Sequence, residues 1–204
     1  MMDSRVGRHA IAQADVEAYE TVLSEEAYAV VLYPDKFGLN CSHCLQRLKA
    51  AVPCQQCSRV AFCSAQCRDD AWNTHHQWEC HFLDVLLGLG CSALARLALR
   101  IITAKPLSFF LQKKQDILDS DSGNSGRDTD PYLQILSLVA LQDQRWPEDF
   151  LLRSTMALIL LGILRASGYF GTKKMAGGSD SYTKNELFIG SLLLKHLQVS
   201  IYIT

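Results

Sequence analysis

An excess of charge of either sign is missing from this chain. Its 20 Lys and Arg stand against 21 Asp and Glu in 204 residues, a formal net charge of −1, which leaves none of the basic surplus that steers a protein onto DNA or RNA. Long hydrophobic runs are missing too. The uncharged apolar stretches 85–95 and 154–164 are eleven residues each, short of the ~20 that a bilayer-spanning helix requires. Neither a nucleic acid nor a membrane is expected as a partner. No apolar h-region with a small-residue cleavage site opens the chain, which argues against a secreted disulfide framework for its eight cysteines. A reducing compartment, cytoplasmic or nuclear, is expected instead.

What the chain does have is a cluster of metal ligands. Eight fall in residues 41–80 as four pairs: Cys41 and Cys44, Cys54 and Cys57, Cys63 and Cys67, His76 and Cys80. Zinc takes four soft or borderline ligands in a tetrahedron, and a C-x2-C turn presents two thiolates to one ion, so each pair is half a site. Four halves make two closed sites holding two structural Zn2+. His76 is preferred to His75 because H-x3-C puts both ligands on one helical face. His43 and His81 are read as bystanders. The pairs are assigned as interleaved, Cys41, Cys44, Cys63 and Cys67 on one ion and Cys54, Cys57, His76 and Cys80 on the other, while a sequential assignment has the same ligand count and stays open on spacing alone. With four protein ligands each, neither ion keeps a position for an activated water, so hydrolytic chemistry is disfavoured. Arg47, Lys49, Arg59 and Arg68 lie among the ligands and offset the thiolate charge.

The periodicity divides the chain into an N-terminal part at 1–37, the ligand-rich segment at 38–82 and a helical region at 83–204. Residues 4–33 read as short strands and turns, with a β-favouring run at 27–33 ended by Pro34. After Cys80, apolar residues recur at helical spacing from Phe82 to Ile101, and Lys105-Pro106 breaks the pattern. Residues 109–118 read as an amphipathic helix, and 131–146, 148–168 and 184–199 as three more, forming an antiparallel bundle. Flexible loops are expected near 119–130 and 171–183. The fold class is α+β and helix-rich. Cys91, alone outside the ligand pairs, reads as a buried inert thiol. The Asp119, Asp121, Gly123 run lacks the glycine and glutamate of a calcium loop and reads as solvated linker.

The ligand order, with Phe62 before Cys63 and Trp72 five residues after Cys67, resembles the MYND zinc finger. That resemblance implies the interleaved cross-brace arrangement and the capture of short proline-containing peptides of partner proteins, with Ser58 and Trp72 matching positions of the peptide groove. Residues 6–12 and 25–32 look like the opening strands of a SET methyltransferase domain. Strands of that kind followed at once by a MYND finger resemble the SET and MYND domain family, whose enzymes transfer a methyl group from S-adenosylmethionine to a protein lysine. Gly7 and Arg8 match the family's cofactor-facing strand, and His9 stands where a glycine is common. The family's later Asn-His-Ser-Cys segment and tyrosine do not occur before Thr204. A chain that stops inside the helical region of a split SET domain is therefore expected to be inactive alone. The alternative is an active methyltransferase, if the chain continues past residue 204 or is complemented.

Overall fold

The structure is a computed structural model that describes residues 2–3, 7–8, 11–121, 130–138, 145–171 and 181–199. Two strands, β1 (Met2–Asp3) and β2 (Gly7–Arg8), pair antiparallel with Met2 opposite Arg8. Residues 11–27 are exposed and carry no regular element.

The β-favouring run at 27–33 is not a strand. A strand needs a neighbour to satisfy its ladder groups, and here two arginines of a helix take that place. Arg96 donates to the Leu32 carbonyl and Arg100 Nη1 to the Val30 carbonyl at 2.7 Å. Four residues of helix rise ~6 Å and two residues of extended chain span ~6.6 Å, so consecutive arginines of one helix face reach alternate carbonyls.

The ligand-rich segment is built on a second antiparallel pair, β3 (Val52–Pro53) and β4 (Ala61–Phe62). It continues through α1 (Ala65–Ala71), a widened π turn at Trp72–His76, α2 (Gln77–Glu79) and a 3-10 turn at Cys80–Phe82. Its small core is Val60, Phe62, Ala71 and Leu83 packed among Cys41, Cys54 and Cys80.

Beyond it the expected single helix at 82–101 is two, α3 (Leu83–Gly88) and α4 (Ala93–Thr103). Gly90 at φ 66 turns the chain, and the Ser92 hydroxyl then caps α4 by accepting from Ala95 N–H at 3.3 Å. The amphipathic stretch is likewise divided into α5 (Leu107–Gln112) and α6 (Lys114–Asp121) at Lys113. Asp119–Asp121 are thus helical rather than loop, and 122–129 lie outside the described residues. The helix expected over 131–146 is short: α7 spans Pro131–Leu136, and 139–144 lie outside the described residues.

The two long helices, α8 (Pro147–Ser167) and α9 (Lys184–Val199), match their sequence patterns closely. They run antiparallel, since Arg153 donates to the Leu197 carbonyl while Arg165 pairs with Glu186 at 3.1 Å. Leu160, Leu161 and Leu164 of α8 and Ile189, Leu192 and Leu193 of α9 share one core with Leu99 and Ile102 of α4. Helix α8 ends on Gly168, whose φ of 89 supplies the left-handed C-cap. At 21 residues, with an 18-residue window whose mean hydropathy is 1.6, α8 is also long and apolar enough to cross a membrane by length and composition only. The eleven-residue run understates it because Arg153 and Arg165, which bound that run, lie within the helix.

Candidate metal centres

Each ligand pair is presented by a local device. Leu45, at φ 64, closes the first turn: its N–H bonds to the Cys41 carbonyl at 3.0 Å, and Cys41 N–H reaches the Gln46 carbonyl at 2.8 Å. In the second, Gln56 N–H points at Cys54 Sγ at 3.3 Å while Cys54 N–H bonds to Val60 across the hairpin at 3.2 Å. Ser64 caps α1 by accepting from Cys67 N–H at 3.1 Å, which sets Cys63 and Cys67 one turn apart. The π turn brings His75 and His76 inward together, and the Thr74 hydroxyl occupies the Asp70 carbonyl at 2.7 Å inside the widened turn.

Tertiary structure resolves the assignment that spacing left open. The ligand atoms of Cys41, Cys44, Cys63 and Cys67 lie within 4.8 Å of one another, and so do those of Cys54, Cys57, His76 and Cys80. The arrangement is interleaved. Sγ separations are 3.6 Å for Cys44 and Cys63, 3.5 Å for Cys63 and Cys67 and 3.9 Å for Cys54 and Cys80. A tetrahedral zinc with Zn–S bonds near 2.3 Å sets its sulfurs about 3.8 Å apart, and a histidine nitrogen about 3.5 Å from a sulfur. His76 Nε2 stands 3.6 Å from Cys57 Sγ and 3.3 Å from Cys54 Sγ. None of these sulfur pairs is at disulfide distance. Both donor sets fit Zn2+, and both are closed at four.

The electrostatics demand a cation. Burial and the neighbouring Cys63 thiol push Cys67 up to about 12, and burial with the Cys57 and Cys54 charges raises Cys80 as well. Burial also opposes ionisation of Cys41 and Cys57. Backbone N–H groups of Cys44, His43 and Cys63 more than reverse it for Cys41, to about 7. The His76 ring and Arg59 N–H bring Cys57 to about 6. In each site one thiolate, Cys41 or Cys57, is thus favoured by the protein alone, and a dication would favour ionisation of the others. The first site is the more solvent-facing, with Cys44 and Cys63 exposed, whereas Cys54, His76 and Cys80 of the second are buried.

The MYND finger family matches residues 41–80. Over 231 aligned residues the chain is 32% identical to a protein-lysine N-methyltransferase SMYD4 of Danio rerio, covering 94% of this chain and 30% of that protein. It is 34% identical to the Gallus gallus SMYD4 over 104 residues, 41% of this chain and 14% of the relative. A SET and MYND domain-containing protein of Dictyostelium discoideum is 30% identical over 80 residues, 37% of this chain and 21% of the relative. The chain belongs to the SET and MYND domain family. It spans 30% or less of the length of these relatives, and its finger is a zinc-binding protein-interaction module.

Around the MYND finger's second site opens a cleft of ≈ 410 Å³ lined by Cys54, Gln55, Gln56, Arg68, Asp69, Trp72, Asn73 and His76. Trp72 is half-buried there, its ring edge-on to His76 at 6.0–6.1 Å like that of Phe62 on the inner side. Ser58 is exposed in the β3–β4 turn and does not line this cleft. Gly7 and Arg8 form β2, apart in sequence from the metal centres. His75 is not a ligand: it stacks on His43 at 6.1 Å and contacts the Thr74 hydroxyl at 3.0 Å. Cys91 is buried with its thiol toward Met156 sulfur at 3.4 Å.

Sequence reasoning missed the residues behind the ligands. Glu79 lies 3.5 Å from His76 Nδ1 and 2.8 Å from Arg100 Nη2. Its spacing of three from His76 placed it on the ligand's helix face. Arg100, 21 residues further on, gave no such signal.

Proposed function

We propose that the MYND finger captures a short proline-containing segment of a partner protein in the cleft over Trp72. The observation that carries this reading is the juxtaposition of a half-buried indole with Gln55, Gln56 and Asn73 around a ≈ 410 Å³ cleft on a metal-braced frame. Proline-rich segments are pre-extended, leave their carbonyls free and pack their rings on aromatic faces. The indole supplies the face and the side-chain amides supply donors. Arg68 and Asp69, joined at 2.9 Å, form the charged wall. The zinc ions do no chemistry in this role; they hold the β3–β4 turn and α1 in fixed relation.

The test is NMR titration of the zinc-loaded chain with a panel of short proline-containing peptides. Shifts should centre on Trp72 and Gln55–Gln56, and Trp72→Ala should weaken binding at least tenfold with both zinc ions retained. Binding unchanged in that variant refutes the cleft.

A second reading concerns the whole protein. The 32% identity over 94% of this chain to a protein-lysine N-methyltransferase favours a share in lysine methylation, with S-adenosylmethionine approached by the Gly7–Arg8 strand and the helices α4, α8 and α9 standing as the helical part of a split SET domain. Cytoplasm and nucleus, where lysine substrates and reduced thiols coexist, are the compartments this reading suits. Calorimetric titration with S-adenosylmethionine decides whether this chain suffices: heat of binding abolished by Gly7→Trp supports the reading, and absence of binding by the zinc-loaded chain removes cofactor binding from these residues.

A further inference from the structure

The second zinc site is joined to the rest of the molecule by a line of buried charges. His76 turns Nε2 toward Cys54 and Cys57 and Nδ1 toward the Glu79 carboxylate, 3.5 Å away. Glu79 is 4% exposed, and its Oε1 accepts from Arg100 Nη2 at 2.8 Å. The other terminal nitrogen of Arg100 donates to the Val30 carbonyl at 2.7 Å. One turn earlier on α4, Arg96 holds the Leu32 carbonyl and stacks on Phe37, its guanidinium 5.3 Å from the ring centroid. A metal ligand, a carboxylate, a guanidinium and the chain preceding the finger therefore form one contiguous set.

Each link constrains the next. A carboxylate at Nδ1 keeps the proton there and leaves the Nε2 lone pair for the metal, and it fixes the ring plane. A buried carboxylate and guanidinium offset the cost of leaving water only through good mutual geometry and further hydrogen bonds, which for Arg100 come from its two terminal nitrogens, since its Nε has no partner among the described residues. Glu79 needs both His76 and Arg100, and Arg100 needs both Glu79 and a backbone acceptor. The Val30 carbonyl has no strand neighbour among the described residues, so the helix arginine is its partner.

We infer that Glu79 and Arg100 are positioning residues that couple zinc binding at Cys54, Cys57, His76 and Cys80 to docking of residues 28–32 on α4. This goes beyond peptide capture and does not depend on it. Coupling of this kind is reciprocal: zinc at the second site tightens the segment, and the docked segment, by holding Arg100 on Glu79, tightens zinc. The first site, made of Cys41, Cys44, Cys63 and Cys67, has no such carboxylate contact among the described residues and stands outside the coupling.

The experiment uses the full chain loaded with two zinc ions. Release to a chromophoric chelator is followed in time, and Cys44→Ser and Cys57→Ser assign the phases to the first and second sites. Glu79→Gln and Arg100→Met are expected to speed second-site release by about 10- to 100-fold, the range of outer-sphere substitutions, with the first-site phase unchanged. In hydrogen exchange, Cys57→Ser raises exchange at 28–33 and Cys44→Ser does not. Should Arg100→Met not fold, Arg100→Lys carries the test: the charge is kept, but the planar fork whose two terminal nitrogens serve Glu79 and Val30 is lost, so the same phase quickens by a smaller factor. Leu193→Ala, a destabilising change in the helical core that alters no group of the Glu79–Arg100 set, leaves both phases alone. Wild-type second-site release in the folded Arg100 variants, or equal acceleration by Leu193→Ala, overturns the coupling. Failure of peptide binding leaves this result untouched, because neither Glu79 nor Arg100 lines the cleft.

Discussion

Stripping zinc should unfold the finger and leave the helical half standing. Outside its cysteines the finger's core has only three sizeable buried apolar side chains, Val60, Phe62 and Leu83, with Ala71 beside them. Full burial of such side chains stabilises by about 1.5–3 kcal/mol each, so together they contribute roughly 5–9 kcal/mol. A structural zinc contributes on the order of 10–16 kcal/mol at neutral pH, and there are two. The metal contribution exceeds the apolar one several-fold, so the finger without its ions has too little core to persist. The helical half has its own core, in which Leu99, Ile102, Phe110, Leu160, Leu164, Ile189 and Leu193 pack without metal. Hydrogen exchange with mass spectrometry during chelator titration is the direct assay. Amides of 41–82 should lose protection as zinc leaves, the exposed first site before the buried second, while those of α8 and α9 keep theirs. A finger that retains full protection after elemental analysis shows no zinc would refute the reasoning, and so would a helical half that melts with it.

Three further outcomes are expected. His196, fully buried against the Tyr132 hydroxyl at 3.1 Å, is held down to about 3 by burial and then by Lys195, and burial with the Arg100 charge holds His75 at about 3 as well. Because these folded values lie below the ordinary 6.5, the unfolded chain takes up the protons first. Stability is therefore full above pH 6.5 and falls as pH drops toward 3, by up to about 1.4 kcal/mol per pH unit for each group; urea unfolding followed on α9 should show a shallower pH slope in His196→Gln. Leu193→Ala, at a fully buried position between α8 and α9, should cost about 2–5 kcal/mol in chemical denaturation. Gly168→Ala places a side chain at φ 89 and should lower the melting temperature through a loss of about 1 kcal/mol or more, whereas Gly162→Ala, which meets nothing within 4 Å inside α8, should raise it by the ordinary helix preference.

The sequence by itself determined the identity of all eight ligands, because metal chemistry is written in residue type and short spacing. It also determined α9 to the residue and α8 within one, since long helices bury a stripe that recurs every turn and α8 is closed by Pro147 and Gly168. Which pairs share an ion was assigned from the sequence without being fixed by it: the spacing of four pairs is compatible with two braidings, and it is the hairpin β3–β4 folded against α1 that brings Cys44 beside Cys63 and Cys54 beside Cys80. Tertiary structure alone decided the fate of 27–33. β-branched and aromatic residues signalled a strand, yet strand formation depends on a neighbour, and the neighbour here is a helix face bearing Arg96 and Arg100. The Glu79 contact to that same arginine was illegible for the same physical reason. Ligand pairs are local, while the charges that orient them are drawn from wherever packing of the whole chain sets them.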